Sequence, residues 1–125
     1  MKRILIAALG ALLAPALGPA RAADCAGAPG IDAMVECAEA DYAAADRRLN
    51  GAYAATRQAL DTGDGARLLL DAQRLWLKFR DADCRVVAGH AHGGLLSRFL
   101  WYSCLADLTR ARTTELEAQA KGLAP

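Results

Sequence analysis

The chain has little of several features by which proteins often reveal their chemistry. Only 6% of its 125 residues are aromatic, it has two histidines, and 15 basic residues nearly balance 14 acidic ones. This near-neutral charge argues against a nucleic-acid-binding protein, in which Lys and Arg are expected to cluster. The sequence has no Cys-x-x-Cys redox pair, no haem-attachment motif and no Gly-rich phosphate loop. No cofactor is therefore indicated.

Residues that could support catalysis occur, but not in a catalytic arrangement. Ser97 and Ser103 lie in an apolar helical pattern that lacks the nucleophile-elbow motif. His90 and His92 could contribute to a metal site, but such a site needs three or four ligands with supporting groups. We therefore expect a protein that is not an enzyme, with no catalytic residues and no bound metal.

The first 22 residues are typical of an export signal. Residues 1–3 give a basic start, residues 4–17 are apolar and uncharged, and Ala-Arg-Ala at 20–22 fits the cleavage pattern of signal peptidase. The apolar run is shorter than the roughly 20 residues of a membrane span. We expect a signal peptide over residues 1–22, a single domain over 23–125, and a periplasmic or secreted protein without a stable membrane span.

Removal of this signal would change the sign of the net charge. The signal holds Lys2, Arg3 and Arg21 and no acid, which leaves 12 basic and 14 acidic residues, a net charge of −2. The remaining 103 residues suffice for one domain with a modest core. No nucleic acid is expected as a partner.

All four cysteines follow the signal, so an oxidising compartment would join them as disulfides. Four cysteines allow three pairings, and we favour the two local ones. Cys25–Cys37 would fasten the N-terminal arm to the first helix, and Cys84–Cys104 would join the second and third helices. Asp24 stands where a lipoprotein signal requires a small residue, which disfavours a lipid anchor on Cys25.

Apolar residues recur at steps of three and four, which predicts three helices over about 32–60, 66–87 and 96–121. No segment shows the period-two alternation of a strand. The expected fold is all-α, an antiparallel three-helix bundle with two local disulfides. The residues expected to face inward on the third helix are Phe99, Leu100, Cys104, Leu108, Ala111 and Leu116.

A Cys84–Cys104 disulfide would constrain the path of the connection over residues 88–94. If the helices ended at residue 87 and began at 95, Cys84 and Cys104 would lie about 5 Å and about 14 Å from the turn. Disulfide-bonded Cα atoms must approach within about 7 Å. Either the third helix starts nearer Arg98, or the connection runs beside that helix as an irregular loop, and we predict the latter.

Several polar residues lie near Trp76 in the sequence. Arg80 falls on the same helical stripe as Trp76 and Cys84, so we expect it to be partly buried and paired with an acid such as Asp46 or Asp107. A structural role is favoured over partner binding. The candidate structural polar network comprises Gln73, Arg74, Trp76, Arg80, Asp81, Asp107, Thr109 and Arg112.

Several segments together resemble the lysozyme inhibitor LprI-type N-terminal domain family. They are AQRLWLKFRDADC at 72–84, Gly-Gly at 93–94, CLADLTRAR at 104–112, CAEADY at 37–42, and the Asp, Leu, Asn and Tyr positions of 46–53. The resemblance implies an exported, helical, disulfide-bearing protein that inhibits lysozyme, the hydrolase of peptidoglycan. The family's Gly-Gly element is commonly followed by a small hydroxyl residue, whereas Leu95 follows it here.

A binding surface follows as a hypothesis. The connection, with His90, His92, Gly93 and Gly94 as candidate partner-binding residues, would enter the acidic cleft of lysozyme. A disulfide at its base would reduce the entropy lost on binding. The alternatives are an envelope stress chaperone and a protein-docking module without lysozyme activity, so the partner is lysozyme or another envelope protein.

Overall fold

Three long helices account for most of the protein. The computed structural model describes residues 23–60 and 63–123, so the predicted export signal lies outside the described residues. A single 3₁₀ turn at Cys25–Gly27 precedes helices α1 (Ile31–Ala59), α2 (Gly65–Gly89) and α3 (Gly94–Leu123). The predicted helices are confirmed, and their ends differ from the predicted ones by no more than two residues.

Helices α1 and α3 run in the same direction. Near the start of both, the rings of Tyr42 and Tyr102 lie 6.1 Å apart. Further along both, Thr56 Oγ1 donates a hydrogen bond of 2.9 Å to the carbonyl oxygen of Leu116. Because the residue numbers of the contacting pairs increase along both helices, α1 and α3 are parallel neighbours.

Helix α2 runs the opposite way. Ser97 Oγ donates to the carbonyl oxygen of Ala88 (2.9 Å), so the end of α2 lies beside the start of α3. Arg112 Nε donates to Gln73 Oε1 (3.1 Å), which places the start of α2 beside a late turn of α3. The chain therefore goes up, down and up, and the predicted all-α fold of three packed helices is confirmed.

The core lies mainly between α1 and α3, where small side chains let the two backbones approach closely. Leu49 and Leu116 are almost fully buried at its centre, with Ala52 and Leu69 beside them. Helix α2 packs chiefly on α3 and touches α1 much less. Helix α3 is therefore the central element, with a neighbour on each side.

This central position explains one wrong prediction about α3. Ala111, predicted to face inward, is exposed, whereas Leu116 is buried as predicted. The buried face of α3 also includes residues that the predicted inward set left out, namely Leu105 and the smaller Ala106, Thr109 and Thr113. A helix that packs on two sides has no single apolar stripe, so its inward face is hard to read from periodicity.

Both disulfides form as favoured. The Cα atoms lie 5.4 Å apart in Cys25–Cys37 and 5.6 Å apart in Cys84–Cys104. The first bond fastens the N-terminal arm to α1, and the second joins α2 to α3 near the connection between them.

The prediction about that connection was wrong. It is a turn of four residues, 90–93, and α3 starts at Gly94, not nearer Arg98 and not after a long irregular loop. Cys84 is five residues from the end of α2, and Cys104 is ten from the start of α3. The backbone N–H groups of Ala91 and His92 donate to the carbonyl oxygens of Ala88 and Gly89, which continues the chain past the end of α2 by one tight turn. The difference between ten and five residues corresponds to about 7 Å of helical rise. The start of α3 therefore needs to lie only about 7 Å beyond the end of α2 for the two sulfurs to reach the same height.

Among residues 23–60 and 63–123, no helix is both long enough and apolar enough to cross a membrane.

Candidate functional site

The α2–α3 connection, residues 90–93, is an exposed but well-fixed turn. The backbone N–H groups of Ala91 and His92 donate to the carbonyl oxygens of Ala88 and Gly89, each at 3.2 Å. The hydroxyl of Ser97 also donates a hydrogen bond to the carbonyl oxygen of Ala88, at 2.9 Å. These bonds tie the turn to the ends of both helices that it joins.

Three consecutive residues, at the end of this turn and the start of α3, have left-handed backbone conformations. The φ angles are 53° at His92, 97° at Gly93 and 75° at Gly94. A Cβ atom at Gly93 or Gly94 would meet no heavy atom within 4 Å, so space does not explain the two glycines. Their positive φ angles do, because side chains disfavour this conformation. The Gly-Gly pair therefore sets the path of the chain into α3.

The predicted partner-binding residues come together on this turn. His90, His92, Gly93 and Gly94 are all exposed to solvent. Beneath them, the Cys84–Cys104 bond anchors both helices, and Cys84 is completely buried. The structure thus presents both imidazoles on a crosslinked base, and their role in partner binding stays a prediction.

An open cleft of about 600 Å³ lies beside the turn, along the first two turns of α3. Its lining includes Leu95, Arg98, Trp101 and Tyr102. Aromatic residues and Arg are enriched where proteins bind one another, because they offer large contact areas with a polar end. The sequence analysis missed this cleft. Its signal was the Trp-Tyr pair that follows Gly94 by two helical turns.

Arg80 occupies a separate, buried position between the helices. Its side chain is 8% exposed, and its Nε and Nη2 atoms donate to Asp81 Oδ1 at 2.9 and 2.8 Å. The guanidinium group stacks over the rings of Tyr42 (5.5 Å) and Trp76 (5.4 Å), as cations favour. Nη1 also donates to Thr109 Oγ1, at 3.4 Å, so Arg80 connects all three helices.

The expected acidic partners of Arg80 were wrong. Its partner is Asp81, the next residue of α2, instead of Asp46 or Asp107. Asp107 pairs with Arg110 of its own helix (2.6 Å), and Arg110 also reaches Asp41 of α1 (2.8 Å). Asp81 was missed because adjacent residues in a helix do not normally face each other.

The other members of the predicted polar network divide into two sets. Arg112 bonds Gln73 across the α2–α3 interface and also pairs with Glu115 at 2.9 Å. Arg74 is exposed on α2 and lies outside this buried group. Among the described residues, every buried side-chain nitrogen and oxygen atom has a hydrogen-bond partner. A network satisfied in this way is expected to hold the helices in register.

Burial near Arg80 affects one titrating group. The pKa of Tyr42 is raised from its usual value of 10.0, chiefly because burial disfavours the phenolate. The positive charge of Arg80 opposes this shift without cancelling it. Tyr42 therefore stays neutral as it packs against the guanidinium.

No cluster of metal ligands comes together in the part of the chain that the structure describes. Over residues 23–60 and 63–123, no three His, Cys, Asp or Glu side chains are grouped so that they could hold a metal ion. The four cysteine sulfurs are used in disulfides.

Comparison with known proteins shows the family of this chain. The family model for Lysozyme inhibitor LprI matches residues 22–116, and the chain belongs to that family. The matched segment holds all four cysteines and the α2–α3 connection. The chain is also similar to "Uncharacterized protein R02472" of Rhizobium meliloti (strain 1021), with 43% identity over 93 residues, 65% of this chain and 67% of that protein. No solved structure matches it.

Proposed function

We propose that the protein is an exported inhibitor that binds lysozyme and blocks the hydrolysis of peptidoglycan, with no enzyme activity of its own. Its membership of the Lysozyme inhibitor LprI family over residues 22–116 carries this proposal. The two disulfides support a site of action outside the cytoplasm, because such bonds persist in oxidising compartments.

The surface that would contact lysozyme is the α2–α3 connection together with the cleft beside it. The active cleft of lysozyme holds two carboxyl groups, one protonated and one ionised. His90 and His92 offer ring N–H donors at the tip of the turn. The half-exposed Arg98 guanidinium, whose Nη2 donates to Glu39, offers its remaining N–H donors in the cleft. These groups suit acidic acceptors.

The fixed backbone of the turn favours binding as well. Binding orders flexible segments at an entropic cost, and a turn that is already held loses less. The hydrogen bonds to Ala88 and Gly89, with the disulfide below them, supply that order before lysozyme arrives.

Leu95 alters the character of this surface. It stands directly after Gly94, is 36% exposed and lines the cleft. The nearest hydroxyl in sequence belongs to Ser97, which already bonds the Ala88 carbonyl oxygen. In this protein the position after Gly-Gly would therefore make an apolar contact, and hydrogen bonds to lysozyme would come from the neighbouring His and Arg side chains.

The test of this surface is the paired substitution His90→Ala and His92→Ala. Both side chains are exposed, so the variant should keep the circular dichroism spectrum and melting temperature of the wild type. We expect its inhibition constant against lysozyme to rise about tenfold or more, as a loss of about 1.4 kcal/mol gives. The matched control is Arg57→Ala with Gln58→Ala, an exposed pair at the far end of α1. Full inhibition by the folded His variant would show that the turn is not the binding surface.

A protein-docking module without lysozyme activity is the second candidate. The observation that favours it is an exposed apolar face on α2, in which Leu75 is 67% and Phe79 is 57% exposed. Such a module would form a stable complex with another protein and leave lysozyme turnover unchanged. An envelope chaperone would instead bind an apolar dye more strongly as the pH falls.

A further inference from the structure

The outer face of α2 carries a regular apolar stripe that the three-helix fold leaves uncovered. Its six members follow one another at steps of four and three residues, and all are exposed. They are Leu68, Ala72, Leu75, Phe79, Ala82 and Val86. The large ones stand well out of the surface, from 57% exposed for Leu68 and Phe79 to 67% for Leu75.

This outer stripe is distinct from the face that α2 uses within the bundle. At about 100° per residue, its members fall within about 80° of one another around the helix. The buried residues Gln73, Arg80 and Cys84 lie on another face, roughly 135° away. Helix α2 is thus apolar on the side that faces solvent.

Alternating steps of four and three are the spacing of a coiled-coil seam. A seam of this length would be marginal in an isolated peptide, because short helices are barely stable in water. Here the helix is already formed, packed on α3 and crosslinked to it through Cys84. A partner helix would meet a preformed surface.

The order of side chains identifies the partner, because the stripe reads alike in both directions. Leu68 and Val86, Ala72 and Ala82, and Leu75 and Phe79 are placed symmetrically about Leu77. We propose that α2 pairs with α2 of a second copy of this chain, antiparallel, across a two-fold axis at this point. Such an axis brings each residue to its symmetric counterpart.

The packing across this axis is complementary in size. Ala72 would meet Ala82 of the second copy at two places, which lets the backbones come close. Between these places, Leu75 would meet Phe79 of the second copy, and the large side chains would fill the centre. A parallel pair would instead set each side chain against its own copy, with Phe79 on Phe79 and Ala72 on Ala72.

Charges beside the stripe are compatible with the antiparallel arrangement. Asp71, Lys78 and Arg85 follow one edge of the stripe, seven residues apart. Across the proposed axis, Asp71 of each copy faces Arg85 of the other, giving two opposite-charge pairs. Lys78 meets Lys78 at the axis, where its long aliphatic stem lets the ammonium group turn to solvent. A parallel pair would place Asp71 next to Trp76 and Lys78 next to Asp83, so it would lose both Asp71–Arg85 pairs.

Sedimentation equilibrium of the exported, oxidised protein tests this proposal. We expect the monomer mass at low concentration and twice that mass at about 100 µM, for a dissociation constant in the micromolar range. Leu75→Glu and Phe79→Glu should each raise the dissociation constant about a hundredfold, because each buries charge at the centre of the seam. Both side chains are exposed in the single copy, so the helical signal should not change.

Arg74→Glu is the matched control, because it places the same acid on an exposed site of α2 away from the stripe. We expect it to leave the dimer intact. A protein that remains monomeric at about 1 mM would overturn the proposal. A dimer that tolerates both Leu75→Glu and Phe79→Glu would overturn it as well, since the interface would then lie elsewhere.

Charge exchange tests the direction of the helices. Asp71→Arg or Arg85→Asp alone should weaken the dimer about tenfold, because each turns two attractive pairs into repulsive ones. The double variant should restore wild-type association, since the pairs are re-formed with reversed signs. A double variant as weak as the single ones would exclude the antiparallel arrangement. These measurements read the mass, so their outcome is independent of lysozyme inhibition.

Discussion

The two sides of α3 are held by different chemistry. Toward α1, the contact is made by small and apolar residues, among them Ala45, Leu49, Ala106 and Leu116, all of which are almost fully buried. Toward α2, a disulfide, the Arg80 guanidinium and the Gln73–Arg112 hydrogen bond take over. The first interface is mainly apolar packing, to which the Thr56–Leu116 hydrogen bond and the Arg110–Asp41 ion pair are added, and the second is a crosslink surrounded by polar groups.

This difference separates stability from positioning. We infer that the α1–α3 pair supplies most of the free energy of folding, because dense apolar packing is its main source. Helix α2 is held in place by a small number of directional bonds. Those bonds fix the end of α2, and with it the turn that we propose to contact lysozyme.

The largest effect should come from the α1–α3 interface. Leu116 is completely buried, so Leu116→Ala removes packing and leaves a cavity. We expect the free energy of unfolding to fall by about 3 to 5 kcal/mol, measured as a shift of the urea midpoint. Leu75→Ala is the control at low protein concentration. It makes the same chemical change on an exposed side chain and should alter stability by less than about 0.5 kcal/mol.

Removal of the second disulfide should cost less and act more locally. For the double variant Cys84→Ala and Cys104→Ala, the loop of 20 residues corresponds to a loss of about 3 kcal/mol. Hydrogen exchange should show earlier opening in α2 than in α1 or α3. The variant Cys25→Ala with Cys37→Ala is the comparison, and its local opening should be confined to the N-terminal arm. Uniform loss of protection over all three helices would contradict the division between the two interfaces.

Loss of Arg80 should weaken the polar side of α3 by about 2 kcal/mol in Arg80→Ala, since a buried hydrogen-bonded group and its stacking are removed. Arg80→Lys should recover only part of this, because an ammonium group cannot reproduce the two bonds to one oxygen of Asp81. Arg74→Ala on the exposed face of the same helix should change stability by less than about 0.5 kcal/mol. Equal effects at Arg74 and Arg80 would refute the structural role of Arg80.

The smallest effect should be a pH dependence at Tyr42. Its pKa is raised in the folded state, so above about pH 10 the unfolded chain loses this proton before the folded one does. The free energy of unfolding contributed by this group therefore falls as the pH rises through that range. Tyr42→Phe has no such proton, and its melting temperature should fall less between pH 9 and about pH 11. Identical pH profiles for the two proteins would show that Tyr42 makes no such contribution.

Local features of the sequence were enough to predict the helices and the disulfide pairing. Regular steps of three and four give helices, and a cysteine pair at each of two junctions gives short crosslinks. The turn at residues 90–93 could not be predicted, because the path of the chain into α3 depends on the left-handed conformations of residues 92–94. A Gly-Gly pair between two helices suggests such a turn but does not specify the direction in which the chain leaves it.

The side-chain contacts were harder to predict for two reasons. The buried part of α3 uses Ala106, Thr109 and Thr113, which give little signal beside bulky apolar residues. Arg80 selects Asp81 because of the space left between Tyr42 and Trp76, which exists only after the three helices have met. The sequence analysis did not single out the outer stripe of α2, because its exposure depends on which face α2 turns to α3.

The most direct test of the proposed function measures the clearing of a cell-wall suspension by a c-type lysozyme. Purified, oxidised protein is added in increasing amounts, and a reduced sample with both disulfides opened serves as the control. We expect dose-dependent protection of the suspension by the oxidised protein alone, because the proposed surface depends on the Cys84–Cys104 crosslink. Undiminished clearing at a large molar excess of oxidised protein would contradict lysozyme inhibition.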